Sequence, residues 1–161
     1  MKILVMSDSH GHDEYMQQAI RRERPFDALI HLGDIMGSED KLKSIAKVPV
    51  YMVSGNCDLL SRQPLVRIEE LGGCRILMAH GDRHNVYFDG IDPLREEARS
   101  QDCRVVLFGH THQPLVDASD PQVLVLNPGS IALPRQSDRQ RSYMILEIDA
   151  QGTPHPTLEY L

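Results

Sequence analysis

Six short apolar runs in this chain each end in a small polar cluster built from Asp, His, Asn, Gly and Ser. Val5-Met6 leads into Ser7-Asp8-Ser9-His10-Gly11, and Ile30-His31-Leu32 leads into Gly33-Asp34. Met52-Val53 leads into Ser54-Gly55-Asn56-Cys57-Asp58, and Leu77-Met78-Ala79 into His80-Gly81-Asp82. Leu107-Phe108 leads into Gly109-His110-Thr111-His112, and Leu124-Val125-Leu126 into Asn127-Pro128-Gly129-Ser130. Aliphatic runs of this length are buried strands. In open α/β sheets, ligands gather outside the carboxyl ends of the strands. Glycine at such turns lets the backbone reverse and approach a bound group closely. Any one of these runs is weak evidence of a site, and their recurrence in one chain is strong.

The segments between the runs have helical character. Asp13–Arg24 is expected to be a helix capped by Asp13 and stopped before Pro25, and Ser38–Lys47 a second one capped by Ser38. Pro93–Gln101 is a third. Strands are expected at Lys2–Met6, Ala28–Leu32, Val50–Ser54 and Arg104–Phe108. Leu65–Leu71 and Arg75–Ala79 around Gly72-Gly73 predict a β-hairpin. Leu115–Asp117, Val123–Leu126 and Tyr143–Ile148 read as antiparallel strands, and Thr157–Leu161 as a short edge strand. The early β-α-β alternation argues for parallel pairing and the later strand-rich half for hairpins. Together they predict an α/β sandwich of two mixed sheets with flanking helices.

The 161 residues suit a single domain, 1–161, able to bury its core without disulfides. No apolar run approaches the ~20 residues of a membrane span. Residues 3–6 are too short and too soon followed by Asp8 and His10 to act as a secretory signal. A soluble, cytoplasmic protein is expected. The three cysteines, Cys57, Cys74 and Cys103, form no CxxC pair and are expected to be reduced thiols. A net charge of −6 without a basic run argues against generic nucleic-acid or anionic-membrane partners. It leaves room for a phosphate substrate, because a local cation can reverse the field inside one cleft.

The polar clusters supply that possibility. Asp8, His10, Asp34, Asn56, His80, His110 and His112 offer carboxylate, imidazole and amide donors. The two histidines of Gly-His-Thr-His, at i and i+2 of an extended segment, point the same way. The donor mixture suits Mn²⁺, Fe²⁺, Zn²⁺ or Ni²⁺ better than Mg²⁺ or Ca²⁺, with Mn²⁺ favoured. Seven side chains exceed the needs of one ion and match two. With Asp34 bridging, two ions would lie ~3.5–4 Å apart. The carboxylates of Asp8 and Asp34 would offset only half of their charge, leaving a centre that attracts a phosphoryl oxygen and acidifies bound water.

The ordered set Asp-x-His, Gly-Asp, Gly-Asn-x-Asp, His-Gly and Gly-His-x-His resembles the metallophosphoesterase superfamily with its calcineurin-like fold, and its small prokaryotic phosphodiesterases in particular. The resemblance runs from Lys2 to about Ser130. It implies a four-layer α/β/β/α sandwich of the metallo-dependent phosphatase type. It implies one metal held by Asp8, His10, Asp34 and His112, and a second held by Asp34, Asn56, His80 and His110. It implies a dinuclear phosphodiesterase in which a metal-bridging hydroxide attacks phosphorus in line with the leaving oxygen. Asp58 would orient a neighbouring ligand, and Asn127 lies in a loop that the subgroup shares.

One position departs from the wider pattern. Many members carry His after Gly-Asn, where this chain has Cys57. A thiol is a poorer donor than an imidazolium, and losing a general acid typically costs ~10²–10⁴-fold. Esters with good leaving groups are therefore expected substrates, unless His12 or His84 supplies the proton. Arg135 is a candidate phosphate partner, since guanidinium matches oxyanions in a bidentate way. Two rival readings stand beside a small-molecule phosphodiesterase. One is a phosphomonoesterase acting on a metabolite or phosphoprotein. The other is a retromer-like scaffold without catalysis, against which the complete ligand set argues. A homo-oligomer is compatible with either.

Overall fold

In the computed structural model, which describes residues 1–161, the strand-ending pattern becomes two five-stranded sheets stacked face to face. The elements in chain order are β1 Lys2–Met6, α1 Asp13–Glu23, β2 Ala28–His31, α2 Glu39–Ala46, β3 Val50–Met52, β4 Val66–Leu71 and β5 Cys74–Ala79. They continue with α3 Asp92–Ser100, β6 Val105–Leu107, β7 Pro114–Asp117, β8 Leu124–Pro128, β9 Ser142–Ile148 and β10 Pro154–Tyr160. One sheet has the order β10-β9-β1-β2-β3 and the other β4-β5-β6-β8-β7. Both are mixed. β1, β2 and β3 pair in parallel, as do β5, β6 and β8, while β9, β10, β4 and β7 join antiparallel.

Strand periodicity sorts the apolar residues into three cores. Ile3 and Val5 of β1 face inward and meet Ile76 and Met78 of β5, Val105 and Leu107 of β6, and Leu146 of β9 between the sheets. Leu4 and Met6, on the opposite face of β1, pack under Met16, Ala19 and Ile20 of α1 and Leu42 of α2. Leu77, Val106 and Val125 turn outward from the second sheet beneath Leu94 and Ala98 of α3. These central strands are buried on both faces, which is why they read as unbroken aliphatic runs. The result is the four-layer α/β/β/α sandwich. No helix is long and apolar enough to cross a membrane.

Several expectations are corrected. The hairpin forms, with Gly72 and Gly73 both at positive φ (60° and 79°). The three late strands do not form one antiparallel set. β8 lies parallel to β6 and antiparallel to β7, and β9 crosses to the first sheet beside β1. Apolar patterning specifies faces, whereas pairing partners are set by how the two sheets share the inter-sheet core. β10 spans seven residues rather than a short tail segment. Asp13 does not cap α1, since His12 occupies the cap position and the Asp13 carboxylate reaches across to Lys41 of α2 at 2.5 Å. Ser38 occupies the cap of α2 without a capping hydrogen bond from its side chain.

Candidate metal centre

The loops that follow β1, β2, β3, β5, β6 and β8 meet at one edge of the sandwich. Backbone bonds stitch them together: Asp8 N–H donates to Gly33 O (3.1 Å), His10 N–H to Asp34 O (2.9 Å), and Gly109 N–H to His80 O (3.0 Å). Asp8, His10, Asp34, His110 and His112 all have positive φ, between 46° and 65°. Non-glycine residues rarely adopt that region, and where they do the surrounding structure over-determines them, commonly at functional sites. Gly55 and Gly109 serve close approach. A Cβ on Gly55 would lie 2.5 Å from Asp34 N, and one on Gly109 would collide with Ser7 Oγ and stand 2.9 Å from Asp8 Oδ2.

All seven candidate ligands bring polar atoms together around His10 Nε2 and His80 Nε2. His10 Nε2 lies 3.3 Å from His112 Nε2 and 3.8 Å from Asp34 Oδ2. His80 Nε2 lies 3.5 Å from Asp34 Oδ2, 3.2 Å from Asn56 Oδ1, 3.3 Å from His110 Nδ1 and 4.0 Å from Asp8 Oδ1. Asp8 Oδ1 also stands 3.2 Å from His112 Nε2. Asp34 therefore sits between a group comprising Asp8, His10 and His112 and a group comprising Asn56, His80 and His110.

The histidine tautomers decide what these atoms can hold. His80 Nδ1–H donates to Leu32 O (2.7 Å) and His112 Nδ1–H to Leu133 O (2.6 Å). A carbonyl only accepts, so in each neutral ring the proton sits on Nδ1 and Nε2 presents a lone pair. Both lone pairs point at carboxylate or amide oxygens, which are acceptors too. Asp8 Oδ1 is fully buried with no aligned donor. Buried acceptors facing buried acceptors are costly unless a proton or a cation stands between them. The donor set fits divalent ions, and the carbonyl bonds behind the imidazoles are the usual way a ligating ring is oriented.

Charges point the same way. Burial would raise the Asp8 carboxyl, but His112 and His80 outweigh it and hold it below the ordinary carboxylate range. Asp34 is held far lower, because His80 and the Cys57 N–H overcome its burial. Burial pushes His10 and His110 down, leaving them neutral and available as donors to an ion. Burial likewise drives His31 down to about 4. His80 goes up: burial opposes its charge, yet Asp34 and Asp8 push it to about 9.

These last two shifts have opposite consequences for stability. His80 binds its proton more tightly when folded, so its contribution is complete below the ordinary pKa of 6.5 and is lost as pH rises toward about 9. His31 contributes fully above 6.5 and loses that contribution as pH falls toward about 4. Urea unfolding of metal-free protein is therefore expected to show greatest stability near pH 6.5. On each side the loss is on the order of 3 kcal/mol. A saturating divalent ion should flatten the alkaline limb, since it takes the His80 lone pair in place of the proton. An alkaline limb indifferent to metal would remove His80 from the centre.

Other candidates take different places. Asp58 is buried behind the loops, where Oδ2 accepts Asp34 N–H (2.7 Å) and Gly55 N–H (2.9 Å), and Oδ1 accepts Met36 N–H (2.7 Å). It clamps two ligand loops together. Cys57 donates its backbone N–H to Asp34 Oδ1 (2.8 Å), and burial with the Asp34 charge pushes its thiol up to about 11. Asn127 is fully buried and cannot touch substrate. Its Nδ2 donates to Gly109 O (2.8 Å) and Thr111 Oγ1 (3.1 Å), holding the Gly-His-Thr-His loop. His12 does not join the cluster, since its exposed ring faces Glu14 (3.2 Å) and Tyr15 on α1. Nor does His84, whose Nε2 is tied to Glu97 of α3 (2.6 Å).

Further groups brace the centre from around it. Tyr87 packs edge-on against His110, with ring centroids 4.9 Å apart, and its hydroxyl donates to His110 O (3.1 Å). The Arg135 guanidinium donates in turn to that hydroxyl. Ser130 Oγ–H donates to Asp8 O (2.8 Å), fixing the first ligand loop from β8. The Leu133 carbonyl that orients His112 is a backbone group, which no residue-type pattern can reveal.

A four-layer α/β/β/α sandwich that gathers Asp, His and Asn side chains around Asp34 at one sheet edge has the arrangement of a metal-dependent hydrolase site. The family model of the calcineurin-like phosphoesterase superfamily domain matches residues 1–151. A Bacillus subtilis protein named "Probable metallophosphoesterase YsnB" is 36% identical over 157 residues, spanning 92% of this chain and 85% of that one. A Methanothermobacter thermautotrophicus protein named "Probable metallophosphoesterase" is 32% identical, spanning 94% and 88%. A crystal structure of a predicted phosphoesterase from Streptococcus pneumoniae superposes with a TM-score of 0.81 at 27% identity, covering 99% of this chain and 97% of that one. The chain belongs to the calcineurin-like phosphoesterase superfamily and is a metal-dependent phosphoesterase by family. An Entamoeba histolytica Vps29 variant shares the fold with a TM-score of 0.77 at 22% identity, covering 100% of this chain and 99% of that one.

Proposed function

We propose that the chain hydrolyses small phosphodiesters on two divalent cations held by Asp8, His10, Asp34, Asn56, His80, His110 and His112. The carrying observation is the convergence of buried carboxylate, amide and imidazole groups, above all Asp8 Oδ1 standing 3.2 Å from His112 Nε2 with no hydrogen bond of its own. Asp8, His10 and His112 would hold one ion, Asn56, His80 and His110 the other, and Asp34 would touch both. Bound there, such ions supply Lewis acidity toward the phosphoryl oxygens and lower the pKa of bound water toward ~7. Mn²⁺ is the favoured ion, and Fe²⁺, Zn²⁺ and Ni²⁺ suit the same imidazole-rich donors. The favoured setting is the cytoplasm, with a small phosphoester rather than nucleic acid as substrate.

The protein's own groups do the positioning. The Leu32 and Leu133 carbonyls lock two imidazoles, and Asp58 locks the loops that carry Asp34 and Gly55. Arg135, held by Tyr87 at the rim, offers its remaining N–H donors to a phosphoryl oxygen. Cys57 keeps its proton at neutral pH, and no imidazole stands there to protonate a leaving alkoxide. Good leaving groups are the consequence. The diester preference rests on a cavity of about 350 Å³ beside Cys57, walled by Met36, Leu59 and Leu60. It gives a second ester substituent an apolar seat, and Glu39 in its wall disfavours the extra charge of a monoester.

Protein purified without chelator and reconstituted with Mn²⁺ should turn over bis(p-nitrophenyl) phosphate with a kcat/KM at least ~10-fold above that for p-nitrophenyl phosphate, as expected when one good substituent contact adds over 1.4 kcal/mol. The reverse order would make the enzyme a phosphomonoesterase. Absence of both turnover and stoichiometric metal would favour a scaffold.

A further inference from the structure

A second cavity, of about 400 Å³, is lined by Ala132, Leu133, Pro134, Arg135, Arg139 and Arg141. Three of its six lining residues are arginines, and none of them forms an ion pair with a carboxylate. The nearest acid in sequence, Asp138, spends both oxygens on Gln140, accepting its backbone N–H (3.1 Å) and its side-chain amide (3.2 Å). The Arg139 guanidinium donates only to Pro134 O (3.3 Å). The Arg141 guanidinium lies 4.1 Å above the Tyr15 ring of α1, and its Nε is buried with no acceptor. In a chain of net charge −6, three unneutralised guanidinium groups around one hollow form a local reversal of field.

The hollow and the metal centre share a wall. Leu133 accepts the His112 ring proton, and Arg135 N–H donates to His112 O (3.0 Å). An anion seated among the arginines would thus be adjacent to a phosphoryl group at the cluster. Guanidinium suits such a task because its planar donors pair with carboxylate or phosphate oxygens two at a time. Arg135 and Arg139 are exposed and have no carboxylate partner, so donors on both stay free for an anionic ligand.

We propose that this pocket binds a second anionic group, a carboxylate or phosphate carried on one substituent of the phosphodiester, so that the natural substrate is charged at two points. The proposal rests on the phosphodiesterase reading and sharpens it: one substituent is apolar and faces Cys57, and the other is anionic and faces the arginines.

The test uses three p-nitrophenyl phosphodiesters whose second substituent is ethyl, 2-carboxyethyl or 2-phosphonoethyl, with the metal-loaded enzyme. KM for at least one anionic ester is expected to be ~10-fold or more below that for the ethyl ester, a margin of about 1.4 kcal/mol. The arm that responds tells carboxylate from phosphate. In R139A/R141A the ratio should collapse to within about twofold, a difference of under about 0.5 kcal/mol. Should that variant fail to fold, Arg139→Glu at its exposed site should give the same collapse. Equal KM values in the native enzyme, or an anionic advantage that survives both variants, overturns the subsite. If none of the esters is turned over, the phosphodiesterase reading has failed. Calorimetric titration with inorganic phosphate then decides the subsite alone: a binding event lost in R139A/R141A supports it, and identical titrations overturn it.

Discussion

Asp34→Asn is expected to lower kcat/KM for any phosphoester by about 10³-fold or more, a loss of roughly 4 kcal/mol of transition-state stabilisation, while the fold survives. The reason lies in which oxygen does what. Asp34 Oδ1 accepts the Cys57 N–H at 2.8 Å, and Oδ2 faces His80 and His10 at 3.5 and 3.8 Å. In the asparagine variant, the amide oxygen must stay on the Cys57 N–H, because an NH₂ there would set donor against donor. The NH₂ group is then aimed at the two imidazole lone pairs, where a cation belongs. One substitution therefore removes a negative charge, removes a ligand and places hydrogens where an ion would sit. Metal analysis should show the native chain with about two ions and the variant with one or fewer. A variant within tenfold of native turnover, with its full metal complement, would show that Asp34 does not join the two clusters.

The second large effect is expected at Asp58, which touches no ligand side chain. Its carboxylate accepts three backbone N–H groups at 2.7, 2.9 and 2.7 Å, from Asp34, Gly55 and Met36. Hydrogen bonds to a charged acceptor are worth about 1.5–3 kcal/mol each and do not add fully. Asp58→Ala should therefore destabilise the protein by about 3–5 kcal/mol. For a domain of this size that is a fall in melting temperature of roughly 8–15 °C. Metal affinity should drop about 10–100-fold, the usual cost of losing a group that orients ligands from behind. Asp58→Asn should fall between, since one amide oxygen can serve Asp34 and Gly55 but its NH₂ opposes the Met36 N–H. Denaturant titration and competitive metal binding read the two effects separately. A stability change under about 1 kcal/mol with unchanged affinity would show that the loops hold their shape without the clamp.

The fold and the centre were legible to different depths. Strand after strand was visible as an aliphatic run, because strands buried on both faces tolerate little else. The candidate ligands were visible because each closes such a run, and the structure gathers all seven candidates at one sheet edge. Pairing was less visible. The aliphatic pattern of Tyr143–Ile148 records burial but not that its neighbour is β1 in the first sheet, a choice made by the inter-sheet core. The helix caps misled, because Asp13 is drawn away by Lys41 across α1 and α2, a contact between elements distant in sequence. His12 and His84 had suitable chemistry but are held by Glu14 and Glu97, acids whose placement depends on the helices that carry them.

By itself, the sequence determined the layered α/β class, the order of the strands along the chain and the donor types available at their ends. Those are consequences of local chemistry: side-chain alternation, glycine at reversals, and the acid-base character of Asp, His and Asn. Only the tertiary structure decided that Leu32 and Leu133 choose the imidazole tautomers, that Tyr87 packs against His110, and that Arg139 and Arg141 line one hollow with Arg135. These facts concern distances between segments far apart in the chain and backbone groups that every residue possesses. They are set by the packing of two sheets against each other, and no local pattern encodes that packing.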